Sequence, residues 1–188
     1  AIVGTVSGTS ISFGSAVVFE SAATQDSSTT FDSTNGKVVI AYRDHGNSGY
    51  GTAIVGTVSG TSISFGTPVQ FNSSNTEQVD ASYDSINKKV VLVYKDDGNS
   101  GYGTLIVGTV NGTSISFGSE VVFESGGGIN YTRNEFDSTN GRVVIAYRDP
   151  NSQGKAIVFK NASTDLTTEN FIGFSDAAYS DGDTANIQ

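Results

Sequence analysis

The 188-residue chain contains no cysteine, no methionine and no tryptophan, and only one histidine and two prolines. Without cysteine there is no disulfide framework and no thiolate metal site. No apolar run approaches the roughly 20 residues that a membrane-spanning helix needs, so membrane insertion is not expected. Basic residues are few and scattered, 10 against 19 acidic, for a net charge of −9. That field repels nucleic acid phosphates and anionic headgroups, so neither is an expected partner. A chain without an initiator methionine and without a visible signal peptide reads as starting inside something longer, or as processed.

What is abundant is repetition. AIVGTVSGTSISFG occurs at 1–14 and again at 53–66, and LIVGTVNGTSISFG follows at 105–118. Residues 1–52 and 53–104 are identical at 33 of 52 positions. Val, Ile, Phe and Tyr alternate between the 23 glycines and the many Ser and Thr, which marks ordered β structure. A period near 50 made of short strands marks a propeller or a related array.

Each unit reads as four strands. The first is short, Thr29–Asp32, matched at 81–84 and 134–137. Ser33-Thr34-Asn35-Gly36 turns the chain, with Asn-Gly suited to the positive φ of a tight hairpin; in the second copy the pair is Asn87-Lys88. The second strand, Lys37 to Arg43, places Val38, Ile40 and Tyr42 on one face and Val39 and Ala41 on the other. With both faces apolar, it is expected to be covered on both sides. The third strand is expected at 52–58. The fourth, 63–71, is kinked at Gly66-Thr67-Pro68, and a proline there suits an outer edge.

The expected fold is therefore all-β: tandem four-stranded antiparallel blades of a β-propeller, at about 29–71 and 81–123, with Val38, Ile40, Val90, Leu92, Val143 and Ile145 between blades. Residues 1–20 supply only third and fourth strands, and a third blade begins at 134. Residues 1–161 are assigned to these repeats and 162–188 to a linker and the start of a distinct C-terminal module. Closure needs about 4–8 blades, so the propeller is either partial or completed by other repeats or chains.

Strand alternation puts the 1–2 and 3–4 turns on one rim and the 2–3 loops and 4–1 crossovers on the other. The first rim is nearly invariant between copies. On the second, the loops read DHGNSGYG, DDGNSGYG and DPNSQG, and together with the crossovers at 22–28, 73–79 and 125–133 they hold most of the differences between copies. Binding residues concentrate on loops held by a rigid scaffold. The candidate ligand or partner site is accordingly this rim, with Asp44, Asn47, Tyr50, Asp96, Asn99, Tyr102 and Tyr131. The tyrosines lead because a ring offers an apolar face and a polar tip.

No catalytic residue and no metal ligand is assigned. His45 is replaced by Asp97 and Pro150 in the other copies, and no Ser-His-Asp set can be built without it. Asp44, Asp96 and Asp149 fit loop residues that accept their own backbone N–H groups better than calcium ligands. Asp32, Asp84 and Asp137 open a turn that resembles the aspartate box of sialidase-like propellers, but without its aromatic residue. A glycosidase needs a placed carboxylate pair, and the recurring carboxylates here belong to turns. No cofactor is expected.

The strings GTAIVGTVSGTSISFG, FDSTNGKVV and KVVIAYRDHGNSGYG resemble tandem repeats of structural proteins of marine bacteriophages, over about residues 1–160. The resemblance implies a non-enzymatic tail-fibre or other virion-surface protein, serving as scaffold and in attachment to a host or a cell-surface glycan. It implies other copies or virion proteins as partners, a homo-oligomer, and a location on the virion or outside the cell. Similar repeats in bacterial surface proteins make an extracellular adhesin or surface filament the alternative reading; a propeller glycoside hydrolase is the disfavoured third.

Overall fold

The computed structural model describes residues 1–160 and 171–172. All regular structure there is antiparallel β apart from two short 3₁₀ turns. The amino-terminal hairpin joins β1 (Gly4–Ser7) to β2 (Ser10–Phe13). The first unit then orders β3 (Thr24–Asp32), β4 (Lys37–Asp44), β5 (Tyr50–Ser59) and, on the outer side of β5, both β6 (Ser62–Phe65) and the start of β7 (Val69–Asp84). The second unit is the rest of β7, then β8 (Lys89–Asp96), β9 (Tyr102–Asn111), and β10 (Ser114–Phe117) with β11 (Val121–Glu124). The third is β12 (Asn130–Asp137), β13 (Arg142–Arg148), β14 (Gly154–Phe159) and β15 (Phe171–Ile172). The described residues form no closed barrel or ring.

Thus each unit has four strand positions, and the break at Gly66-Thr67-Pro68 falls between β6 and β7 on the outer edge. One expectation is corrected. The crossover 73–79 is not a loop: β7 runs unbroken through it for 16 residues. Its first part pairs with β5 and its second with β8, so its backbone groups are satisfied by two neighbours in turn. Likewise 24–28 belongs to β3 and 130–133 to β12. The assignment of 162–188 to another module falls outside the described residues, except that Phe171–Ile172 pair with β14.

The apolar residues on the two faces of each central strand enter different clusters. Val39 and Ala41 of β4 with Ala53 and Val55 of β5 pack against Val90, Leu92 and Tyr94 of β8 and Ile106 of β9. The opposite face of the second unit, through Val91, Val93 and Leu105, packs against Val143, Ile145 and Tyr147 of the third. Ile40, Tyr42 and Ile54, on the other face of the first unit, meet Phe19. Sheets therefore stack face to face. Val38 departs from the expectation: it is half-buried, on the rim of a cluster with Ile40, Tyr42, Ile54, Phe19 and Phe65.

The unit-to-unit joint repeats in aromatic residues. Phe19 lies on Tyr42, Phe71 on Tyr94 and Phe123 on Tyr147, with ring centroids 5.2, 5.2 and 5.3 Å apart. Each tyrosine hydroxyl donates to a carboxylate: Tyr42 to Glu20 at 3.5 Å, Tyr94 to Glu120 at 2.7 Å and Tyr147 to Glu124 at 3.1 Å. Burial first, and the neighbouring carboxylates second, raise all three phenols above their ordinary range. A raised folded pKa contributes stability below the unfolded value of about 10 and loses it as pH climbs past that value. Thermal melts should therefore hold steady from neutral pH to about 9 and fall steeply above about 10. Tyr94→Phe should make that alkaline fall shallower; an unchanged slope would count against this origin.

The recurring aspartates hold turns. Asp32 Oδ1 accepts from the backbone N–H groups of Thr34 and Asn35, both at 3.0 Å, and Oδ2 accepts from Asn35 Nδ2 at 2.7 Å. Asp84 and Asp137 repeat the pattern with Asn87 and Asn140. Burial pushes the Asp32 carboxyl up, but the hydrogen bonds, those from Asn35 foremost, outweigh it and leave the carboxyl below the usual range.

Candidate functional site

The 2–3 loops and the crossovers do share one rim. In each complete loop, Asp44 or Asp96 ends a strand and caps a 3₁₀ turn, His45–Asn47 or Asp97–Asn99. The Asp44 carboxylate accepts from Gly46 N–H at 2.9 Å, and that of Asp96 from Gly98 N–H at 3.0 Å. Ser48 and Ser100 then take left-handed backbone at φ 57° and 58°. A side chain at Gly46 would strike Ala22, and one at Gly98 would strike Ser74, so each loop lies against the crossover that enters its own unit. It also touches the crossover that leaves: Thr76 N–H donates to Gly49 O at 2.9 Å, and Gly101 sits against Gly128. Loops and crossovers thus form one continuous row.

Polar contacts stitch the row between the first and second units. Ser74 Oγ donates to Asp96 Oδ1 at 2.7 Å, and Asn75 Nδ2 to Asp97 Oδ2 at 2.6 Å. Glu77 stands between Arg43 at 3.3 Å and Lys95 at 3.0 Å, and Lys95 also meets Asp97 at 2.9 Å. Burial tends to lower the Lys95 ammonium, but hydrogen bonds to Asp97 and Glu77 prevail and raise it. His45 Nε2 lies 3.0 Å from Gln25 Oε1. In the third unit Asp149 takes Gln153 N–H at 2.8 Å and pairs with Lys155 at 3.2 Å.

The predicted site residues divide. Asp44 and Asp96 are buried loop caps. Asn47 and Asn99 close the 3₁₀ turns; Asn47 Nδ2 reaches Gln70 at 3.3 Å. Tyr50 and Tyr102 open β5 and β9 and are half-buried. Tyr131 is 66% exposed, and the Arg148 guanidinium lies 5.6 Å from its ring centroid. Among the described residues no group of three or more His, Cys, Asp or Glu side chains is placed to hold a metal ion.

Sequence reasoning missed the sharpest backbone feature of this rim. Asp26, Gln78 and Tyr131 occupy the same place in the three first strands, and each has positive φ, at 49°, 56° and 55°. The pairing register shifts there in all three units, between Gln25 and Ser28, Glu77 and Asp80, and Asn130 and Arg133. These are β-bulges, which re-aim side chains and often border functional sites. Left-handed backbone costs a non-glycine residue about 1–2 kcal/mol, so the bulge is imposed by the pairing around it. Gln78 Oε1 accepts the Tyr131 N–H at 3.0 Å, which links two successive bulges. The only sequence signal is that residues 26–27, 78–79 and 131–132 read Asp-Ser, Gln-Val and Tyr-Thr, with no identity among them.

No family model matches the chain, and neither a curated protein nor a solved structure matches it.

Proposed function

We propose that the chain is a non-catalytic module of β-propeller blades on the surface of a marine bacteriophage virion, and that its loop-and-crossover rim attaches to a host partner, most simply a cell-surface glycan. The observation that carries this reading is the triplet of bulges at Asp26, Gln78 and Tyr131. A strained backbone position is kept in all three units while its side chain changes each time. Strain held by the surrounding scaffold is a mark of functional positions. The variable residues stand on a rim otherwise fixed by repeated caps, a rigid frame carrying changeable contacts. Tyr131 with Arg148 beside its ring, together with Tyr50 and Tyr102 in the loops of the same row, offers ring faces for a sugar to stack on. The face-to-face stacking of four-stranded units supports the blade reading.

Replacing Tyr50, Tyr102 and Tyr131 together by alanine should weaken binding on a glycan array at least tenfold while leaving most of the thermal stability. Substituting the nearly invariant turns at 33–36 and 59–62 should leave binding unchanged. Binding that survives the first change and fails with the second would place the working surface on the opposite rim. Mass spectrometry of purified particles tests the virion assignment; recovery from a bacterial envelope instead would favour an adhesin.

A further inference from the structure

Every unit sets a basic residue directly before the aspartate that opens its loop: Arg43, Lys95 and Arg148. Cross-strand pairing puts Gln25, Glu77 and Asn130 opposite them. Glu77 is the one carboxylate of the three, and it serves two units at once. It stands 3.3 Å from Arg43 of the first unit and 3.0 Å from Lys95 of the second, and Lys95 also meets Asp97 at 2.9 Å. The charges of this group cancel, but they are not evenly presented. The Arg43 and Lys95 side chains are 17% and 18% exposed, those of Glu77 and Asp97 30% and 28%. Each cation lies under its own loop: a side chain at Gly49 would press on Arg43 Nε, and one at Gly101 on Lys95 Cε. The group therefore turns its negative side to solvent.

We propose that Glu77 and Asp97 set the charge class of the ligand: the stretch of rim between the first and second units takes uncharged sugars and turns away glycans that carry sulfate or uronate groups. This selectivity rests on the rim being a glycan-attachment surface. An anionic group arriving here meets two carboxylates before it reaches either cation, and like charges repel. The cations it would need are already engaged. Discrimination between ligands is built from such repulsion as well as from attraction. The net charge of −9 adds a repulsive field at longer range. Gln25, Asn47, Gln70, Ser73 and Asn99, all exposed on this stretch, offer amides and a hydroxyl, a set of neutral donors and acceptors that matches sugar hydroxyls.

The repeat supplies its own control. At the positions of Glu77 and Asp97 the first unit carries Gln25 and His45, whose side chains meet at 3.0 Å with no carboxylate between them. The third unit has Asn130 and Pro150 there. The same strands and loops therefore form without either acidic residue, and the loops take their caps from Asp44 and Asp96 instead. Partly exposed ion pairs of this kind stabilise a fold little. The two carboxylates of the second unit are thus additions that folding does not call for, placed where a ligand would meet them.

The test compares residues 1–188 with the double variant Glu77→Gln, Asp97→His, which gives the second unit the residues of the first. Both are applied to glycans printed in matched neutral, sulfated and uronate forms. Binding is read at about pH 8, above the ordinary histidine range, and from about 0.05 to 0.5 M salt. Circular dichroism verifies that the variant folds; if it does not, Glu77→Gln alone carries the comparison with the same outcomes. The wild type should favour the neutral forms by about tenfold or more, with little dependence on salt. The variant should narrow that preference by about tenfold, the scale of one hydrogen bond to a charged group. The binding it gains to anionic forms should fade as salt rises. A wild type whose strongest ligands are sulfated or uronate forms would overturn the proposal, and so would a folded variant with its preference unchanged. A wild type that binds neither form would instead overturn glycan attachment by this rim, and the selectivity with it.

Discussion

Leu92→Ala should lower the unfolding free energy by about 2–5 kcal/mol, the range for leucine truncations in packed cores. Leu92 is 0% exposed and lies in the cluster between the first and second units. Val144→Ala, on a central strand in the third unit, should cost under about 0.5 kcal/mol in the monomer, as surface changes do. Val144 faces outward from the last sheet and has no unit stacked on it among the described residues. Guanidinium titrations of both variants at a concentration that keeps the chain monomeric would separate the two. Equal losses would mean that stability resides within single sheets and that stacking adds little.

Gly66→Ala should also be clearly destabilising, for a different reason. A Cβ there would land on the carbonyl oxygen of Thr113, in the β9–β10 turn of the next unit. Backbone cannot swing aside as a flexible side chain can, so the two units must separate locally; overpacking of this kind costs about 1–3 kcal/mol and occasionally more. Gly14 meets Thr61 in the same way. Gly118, the third copy, has only Val107 O within 4 Å, at 3.8 Å. Gly118→Ala should therefore be close to neutral. The three substitutions are chemically identical and sit at one position of the repeat, so differential scanning calorimetry of the set reads the joint directly. A loss at Gly118 equal to that at Gly66 would remove the joint as the cause.

Much of the fold was open to reading because its determinants are local. The alternation through 37–43 assigns two faces, and those faces do enter different clusters. The Asp-Ser-Thr-Asn-Gly turn announces itself by residue type, and its hydrogen bonds close within four residues. The crossover at 73–79 misled for the converse reason. Asn-Ser-Ser-Asn-Thr-Glu-Gln at 72–78 has a loop's composition, yet it is strand because β5 and β8 offer it partners from either side. The bulges are hidden more deeply still. Gln and Tyr carry no preference that would flag a positive φ, and Asp only a modest one; the pairing register between the bulged strand and its neighbour forces it. Of the candidate site, the choice of rim followed from strand alternation, and Tyr131 proved the most exposed of its rings. Asp44 and Asp96 proved to be caps turned inward, and Arg148 beside Tyr131 had no signal in the sequence.

The unbroken course of β7 has a mechanical consequence. A chain pulled from its ends carries load from the first unit to the second along a single strand. The inter-strand hydrogen bonds of an antiparallel pair stand perpendicular to the strands, so tension along β7 loads its bonds to β5 and β8 in shear, many together, rather than peeling them one by one. Nor can one unit give way alone, since drawing β7 out of the first sheet also strips the inner edge from the second. Under force, these two sheets would yield as a pair, in one long extension, where beads on flexible linkers would yield in two short ones.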